Sequence, residues 1–367
     1  MRPLLYLDHN ASSPMSAGVR AHLTRALHDP PGNPGSVHAV GQRARGLLER
    51  ARRGVLKALG VSHGRVVFTS SATEANALAL HALAPDVTLR CARVEHPSVV
   101  AQADERARAG LPTAWLEHDA VGAPLVPNSA RGAQLAVVLA NNELGTWTDV
   151  DAFASCALEH DAPLHVDASQ VVGRLPWSPP SGVTSVTLSA HKSGGPVGIG
   201  ALWFTERVDP TPLLIGGHQE RGVRAGTENV LLIDAWATAL QKGPDPAWAA
   251  LGVVRDAFET TLVQALGAVI NGGGHRLPNT TNLSIPGVNA ETALMALDLD
   301  GVCASAGSAC TAGSIDPSPT IAALGVSGWR LNNALRFSFG PEHADADGVA
   351  IAERVAQILS RARDASG

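Results

Sequence analysis

The chain is short of lysine. Only Lys57, Lys192 and Lys242 occur among its 28 basic residues, so a lysine at an unusual position is a candidate for a specific role. A surplus of positive charge is missing too. Twenty-eight basic against 33 acidic residues leave a formal charge of −5, which argues against a nucleic-acid or membrane-surface protein. No run of about 18 apolar residues occurs, so no transmembrane helix is expected. The opening MRPLLYLDHN turns polar too soon for a signal peptide, and a cytoplasmic protein is the default expectation. Paired cysteines are absent as well. Cys91, Cys156, Cys303 and Cys310 form no CxxC, and no Cys/His spacing suits structural zinc. A disulfide framework is not expected in a cytosolic chain of this size.

What is present is a chain of 367 residues, 45% hydrophobic, with room for two domains. In VHAVGQRARGLLERARRGVLKALG, residues Ala44, Leu47, Leu48, Ala51, Val55 and Leu59 fall at helical spacing. RVVFTS then reads as a buried strand and SSATEANALALHAL as a helix, with Ser70, Ser71 or Thr73 as its cap and Glu74 in its first turn. LAVVLANNE, LHVDASQ, VTSVTLSAHKSGGP and IGALWF read as further strands, and DVDAFASCALEH as a helix. This alternation predicts an α/β fold with a largely parallel, doubly wound sheet. QKGPDPAWAA looks like a linker near residue 245. Beyond it come a helix, two strands (TTNLSIPG, ALRFSFG) and a last helix, predicting a smaller α+β domain. The expected division is 15–245 for the large domain and 1–14 with 246–367 for the small one.

Ligands of parallel α/β sheets bind beyond the carboxyl ends of the strands. Those ends here read SSATE, ANNE, VDASQ and SAHK. SSATEAN at a helix start offers N–H groups and hydroxyls to an anion, without the glycine spacing of a nucleotide loop. Asp167 ends a buried strand and needs a partner, for which a protonated ring nitrogen would serve. Lys192 ends the next strand and suits carbonyl chemistry once desolvated. Anion site, buried acid and strand-end lysine are together the protein partners of pyridoxal phosphate. Three of the cysteines read as small buried hydrophobes: Cys156 inside a helix, Cys91 and Cys303 beside apolar runs. Cys310, in ASAGSACTAGS, has only small and polar neighbours and reads as a thiol on a loop able to move.

The motifs YLDHNASSP, GNPGSVHAVG, VVFTSSATEAN, EHPSV, ANNELGTW, HVDASQVVGRLP, SAHKSGGPVGIGALW, GGHQERGVRAGTENV, ASAGSACTAGS and LRFSFG follow one another along almost the whole chain. In this order they resemble the fold-type I, class V aminotransferase-like enzymes, and within them the cysteine desulfurases. The short cysteine loop resembles that of the group serving nitrogen fixation and general iron–sulfur assembly. The resemblance implies a large domain with a mostly parallel seven-stranded sheet, pyridoxal 5'-phosphate as cofactor, L-cysteine as substrate, a sulfur-acceptor protein and a homodimer. It implies Lys192 as the lysine that bonds the cofactor's aldehyde, Asp167 on the pyridinium nitrogen and Gln170 on the phenolic oxygen. Ala72, Thr73, Ser189 and His191 would hold the phosphate, joined by Thr227 from the neighbouring subunit. His96 would stack on the ring and move protons. Asn142 and Arg336 would meet the substrate, Arg336 as a fork on its carboxylate, with Asn10 and Asn33 lining the mouth. Cys310 would take the substrate sulfur as a persulfide. Ala190 and Ala306 depart from the motifs, small residue for small. The chain ends soon after its last predicted helix, so scaffold docking through a longer tail is not expected. Three other readings compete. A C–S or C–Se lyase acting on cystine or selenocysteine needs no loop cysteine, an aminotransferase would leave Cys310 idle, and a catalytically silent scaffold would be expected to lack Lys192 or Cys310.

Overall fold

The computed structural model describes residues 3–30, 32–81, 83–307 and 317–366. Seven strands make the main sheet: β1 (Arg65–Thr69), β2 (Thr88–Ala92), β3 (Thr113–Leu116), β4 (Ala133–Val138), β5 (Leu164–Asp167), β6 (Ser185–Ser189) and β7 (Gly200–Phe204). Their order is β1-β7-β6-β5-β4-β2-β3. All neighbours pair in parallel except β7, which runs antiparallel to both β1 and β6. Strands β4 to β7 are buried along their whole length. Such strands are covered on both faces and are mostly apolar, with polar residues such as Gln134, His165 and Thr187 enclosed among them.

Strands β2 and β3 carry weaker marks in the sequence. They lie toward one edge, and polar residues such as Arg90 interrupt them, half-buried. The helix Ala39–Ala58 buries Ala44, Leu48, Ala51 and Val55 as its spacing predicts, whereas Leu47 is only partly covered and Leu59 follows the last turn. The main core runs from Val55 and Phe68 through Val137, Val166 and Val186 to Trp236.

A second sheet is antiparallel: β8 (Val269–Asn271), β9 (Thr280–Ser284) and β10 (Ala334–Ser338), in the order β10-β9-β8. Helices Ala247–Leu266 and Gly348–Ser366 pack together beside it. Phe258, Phe337, Phe339 and Leu359 fill a separate core there, joined by Leu7 from the start of the chain. The short strand Leu5–Tyr6 pairs in parallel with Val302–Cys303, so the first described residues are built into the C-terminal part. The residues that follow, Asp8 to Ser13, are thereby delivered to the boundary between the two sheets, where Ser13 N–H reaches His191 O at 2.8 Å.

Candidate active site

The site grows from the carboxyl edge of the main sheet. Helix Ala72–His81 starts two residues after β1. Ser71 caps it, its hydroxyl accepting from Glu74 N–H at 3.2 Å, while the Glu74 carboxylate accepts from Ser70 N–H at 2.8 Å. This reciprocal cap leaves the first-turn N–H groups of Ala72 and Thr73 to point outward. Gly200, first residue of β7, lies against the same turn. A Cβ there would stand 2.7 Å from Ala72 N and 2.5 Å from Ser71 C, so only glycine permits the approach. Gly200 is paired with Thr69 on one side and Ser189 on the other. The Ser189 hydroxyl is buried and has no hydrogen-bond partner among the described residues. A helix start, a backbone stripped of its Cβ and an orphaned hydroxyl in one place fit a phosphate.

Asp167 ends β5, next to Thr187 of β6 in the register. Its carboxylate is only 4% exposed and accepts from Asn76 Nδ2 at 2.7 Å and Ser169 N–H at 3.0 Å. Burial works to raise this acid, but the His96 imidazole and the Ser169 and Asn76 hydrogen bonds prevail and hold it below the ordinary carboxylate range. Burial, with the Lys192 charge, pushes His96 down to about 4 against the pull of Asp167. His96 is therefore neutral at pH 7, and there the hydrogen bonds keep Asp167 ionised. A buried carboxylate of this kind fits a cationic ring nitrogen.

The ionised acid also fixes every proton nearby. Asp167 accepts only, so the Asn76 NH2 must face it. The second N–H of Asn76 goes to Ser98 Oγ at 2.8 Å, and its Oδ1 faces His165 Nε2 at 3.0 Å. His165 consequently donates from Nε2, and its Nδ1 accepts from Ser185 Oγ at 2.8 Å. Burial pushes His165 down to about 4 as well, outweighing Asp167. The Ser98 hydroxyl donates on to His96 Nδ1 at 2.8 Å, and Ser98 N–H donates to the same atom at 3.1 Å. Neutral His96 thus carries its proton on Nε2. Asn76 and Ser98 lie inside two of the quoted motifs, SSATEAN and EHPSV, yet sequence reasoning gives a role to neither. Asn76 sits one helical turn after Ala72, the spacing that could have flagged it. Glu95, beside His96, escapes sequence reasoning too. Burial and the Asp167 charge push its carboxyl well above the usual range.

Lys192 follows β6 and is half-buried. Its carbonyl accepts from Ser13 Oγ at 3.0 Å and from Arg174 Nε. His191 faces Ser12 Oγ at 3.2 Å, and burial, Lys192 and Arg174 push it down to about 4. Arg174, to which sequence reasoning gives no role, is 2% exposed and donates to His9 O, Ser13 Oγ, Asn10 Oδ1 and Gln170 Oε1. Burial, then the neighbouring Arg336, draws its guanidinium down to about 9. Its hydrogen-bond partners here are neutral, so it adds positive charge to the floor.

At the substrate end, Arg336 of β10 is 1% exposed. Its Nη2 meets Asp8 Oδ1 at 2.7 Å and its Nη1 reaches Asn142 O at 3.2 Å, while Nε is buried with no partner among the described residues. Asn10 donates to Asn142 O at 3.0 Å and to Thr280 Oγ1 at 2.8 Å, tying the two sheets together. Gln170 donates to Asn10 O at 3.1 Å. Asn33 and Thr227 stand elsewhere. Asn33 is exposed and faces a surface cleft with Arg45, His218 and Glu228. Thr227 is exposed beside Thr69, Ser70 and Arg224. Cys310 lies outside the described residues. The other three thiols are held protonated: burial, helped by Glu95, Glu159 and Asp298 respectively, raises Cys91, Cys156 and Cys303.

Residues 5–349 match the class-V aminotransferase family. A cysteine desulfurase of a Nostoc species is 34% identical over 98% of this chain and 94% of its own. A solved NifS-like protein from Rickettsia africae is similar over 99% of this chain and 100% of that one, with a TM-score of 0.86 and 26% identity. The structure of SspA in complex with cysteine is similar over 92% and 99%, with a TM-score of 0.79 and 27% identity.

Proposed function

The chain belongs to the class-V aminotransferase family and, within it, to the cysteine desulfurases, and from that premise we propose that it binds pyridoxal 5'-phosphate and moves the sulfur of L-cysteine onto Cys310. The observation that carries the proposal is the convergence of the orphaned Ser189 hydroxyl, the Ala72–Thr73 helix start and ionised Asp167, with Asp167 and Lys192 both acting on His96. Ala72, Thr73, Ser189 and His191 hold the phosphate, Asp167 the ring nitrogen and Lys192 the aldehyde, with Gln170 near the phenolic oxygen. Bound there, the cofactor supplies an electron sink that acidifies the substrate's Cα–H. Lys192 takes that proton. Neutral His96 enters with its proton on Nε2, placed to donate a hydrogen bond. Arg336 and Asn142 grip the substrate carboxylate once Asp8 gives way, and Asn10 fixes the turn that carries Asn142. The net reaction is balanced: L-cysteine and the Cys310 thiol become L-alanine and a Cys310 persulfide. The substrate's Cβ–S bond breaks as an S–S bond forms at Cys310, and the proton given up by the Cys310 thiol is matched by the one Cβ takes up. The two electrons that reduce Cβ come from the two sulfurs, so no external oxidant is required.

The proposal extends to two lobes, 15–245 and 1–14 with 246–367, to Asn33 as a lining residue of the substrate mouth, and to a homodimer in which Thr227 reaches the neighbour's phosphate. A protein sulfur acceptor, with iron–sulfur assembly as destination, completes it. Among the described residues no helix is long and apolar enough to cross a membrane. A thiol that must cycle through the reduced state suits the cytoplasm.

The test is Cys310→Ser. The variant should keep the cofactor and its spectral response to L-cysteine, yet release neither alanine nor sulfide. Release near the parent rate would favour a lyase. For the shared site, one chain with Lys192→Ala and another with Thr227→Asp should each be nearly dead as homodimers. The tagged heterodimer should regain about half the parent activity, because one of its two sites collects both lesions. No recovery would place Thr227 at its own chain's cofactor.

A further inference from the structure

Cys310 must meet the substrate sulfur, and the residues flanking its segment on both sides are described. On the N-terminal side, Ser305 pairs with Arg336 through two backbone hydrogen bonds, of 3.1 and 2.6 Å. Two residues on, Gly307 takes φ +81°, a conformation that favours glycine. On the C-terminal side, Ser318 caps the short helix Pro319–Ala323, its hydroxyl accepting from Ile321 N–H at 3.1 Å.

Both flanks converge on one side chain, Glu143. The Ser318 hydroxyl donates to its Oε2, and Thr320 Oγ1 donates to its Oε1 at 3.0 Å. A Cβ on Gly307 would stand 3.3 Å from that same Oε2 and 2.9 Å from Ser318 Cβ, so the N-terminal flank lies directly against the pair. Ile321 packs with Leu144, the residue after Glu143, and with Ala334.

A helix of five residues needs no buried carboxylate to cap it, since Ser318 already does so. Glu143 is 1% exposed, and burying an acid costs several kcal/mol that an apolar residue would not incur. Burial indeed raises its carboxyl, with Ser318, Arg336 and Thr320 pulling the other way. The turn that carries it is itself rigid. Asn141 Oδ1 accepts from the N–H groups of Glu143 and Leu144 at 2.8 and 2.9 Å, and Asn142 O takes Asn10 and Arg336. One turn thus presents Asn142 to the substrate and Glu143 to the cysteine segment.

We propose that Glu143 is a positioning residue for the sulfur-transfer step, tying the C-terminal flank of the Cys310 segment, against which the N-terminal flank lies, to the turn that carries Asn142. The proposal rests on the desulfurase reading above. It separates two stages of the reaction: removal of Glu143's grip leaves the steps at Lys192 intact and slows the arrival of the thiol at the substrate sulfur.

The experiment uses the cofactor-loaded dimer and removes the two donors by Ser318→Ala with Thr320→Val, leaving Glu143 in place. We expect kcat for alanine formation to fall by between about tenfold and a hundredfold, as misplacement of a reacting group does. KM for L-cysteine should stay near the parent value, and the absorbance change on adding L-cysteine should keep its amplitude. Iodoacetamide labelling of Cys310, read by mass spectrometry without turnover, should change rate by a similar factor. Glu143→Ala should behave alike, Glu143→Gln should recover part of the loss, and all three changes combined should cost no more than either set alone. If Glu143→Ala does not load the cofactor, the Ser318→Ala/Thr320→Val arm decides. An unchanged kcat in that arm overturns the proposal, as does a combined variant whose losses multiply. The labelling rates judge the tie even in a parent that makes no alanine from L-cysteine, a result that would reject the desulfurase reading alone.

Discussion

At the carboxyl ends of β5 and β6, polar groups are left open. Ser189 Oγ has no partner among the described residues, and the hydrogen bonds to Asp167 come from the neutral donors Asn76 and Ser169. At the other end, charges have already met: Asp8 occupies Arg336 at 2.7 Å. A ligand reaching the floor completes hydrogen bonds that nothing else makes. A carboxylate reaching Arg336 must displace one, and its net gain is the difference between two similar ion pairs. The floor is therefore suited to a resident group and the other end to a transient one, which must also leave as a different amino acid.

The comparison fails most visibly if the floor holds nothing. Lys192→Ala should lower activity by at least about a thousandfold, since the other two lysines, Lys57 and Lys242, are exposed on helices. Borohydride treatment of the parent, followed by peptide mapping, should put the pyridoxyl mark on Lys192. A mark on Lys57 or Lys242 would move the site. Next in size, Arg336→Ala should cost about 2–4 kcal/mol in kcat/KM for L-cysteine, as for a buried charged hydrogen bond truncated on one side. An unchanged kcat/KM would put the carboxylate elsewhere.

The floor also predicts acid lability. His165, His96 and His191 each fall to about 4 in the folded chain, against about 6.5 when exposed. At these three groups the unfolded chain binds more protons between those values, so their contribution to stability is lost as pH falls from 6.5 toward 4, while the raised carboxyls of Glu95, Glu143 and Glu220 contribute in the opposite direction. For His165, fully enclosed, the loss is about 3 kcal/mol. Denaturant titrations of the cofactor-free protein at pH 7, 5.5 and 4.5 should show it, and His165→Gln should flatten the profile. A profile that His165→Gln leaves unchanged would mean that His165 is protonated in the fold. The smallest effect sharpens the other end. Asp8→Asn frees the fork, and KM for L-cysteine should drop by about fivefold, or about 1 kcal/mol. A rise in KM would make Asp8 an orienting partner of Arg336 instead of a competitor.

Much of this is legible along the chain. Buried strands announce themselves as mostly apolar stretches that end in polar clusters, so Asp167 and Lys192 stand out as candidates from position, whereas the part given to Ser189 comes only with the family resemblance. The half-buried strands β2 and β3 cannot, because a polar residue on a partly covered face breaks the run without breaking the strand. Partners distant in sequence are the other blind spot. Nothing near Arg336 announces Asp8, 328 positions away, and nothing near Ser318 announces Glu143, 175 away. Arg174 looks like a solvated charge in GRLP, because its acceptors are mostly carbonyls and hydroxyls brought in by the N-terminal segment. Sequence patterns mark which residues turn inward; only the fold decides which of them meet.

Asn76 gives the site a single atom of vulnerability. Hydrolysis of its amide, a spontaneous ageing reaction of asparagine, replaces nitrogen by oxygen and adds one unit of mass. The Asp167 carboxylate would then face a second acid, Ser98 would lose its donor, and His96 would be released from its fixed tautomer. The protein would keep its shape and lose its trade. The residue is fully enclosed within a helix, where the following peptide nitrogen is bound in the helical backbone and poorly placed to attack. The packing that makes Asn76 a switch for the whole proton arrangement also slows the chemistry that would throw it.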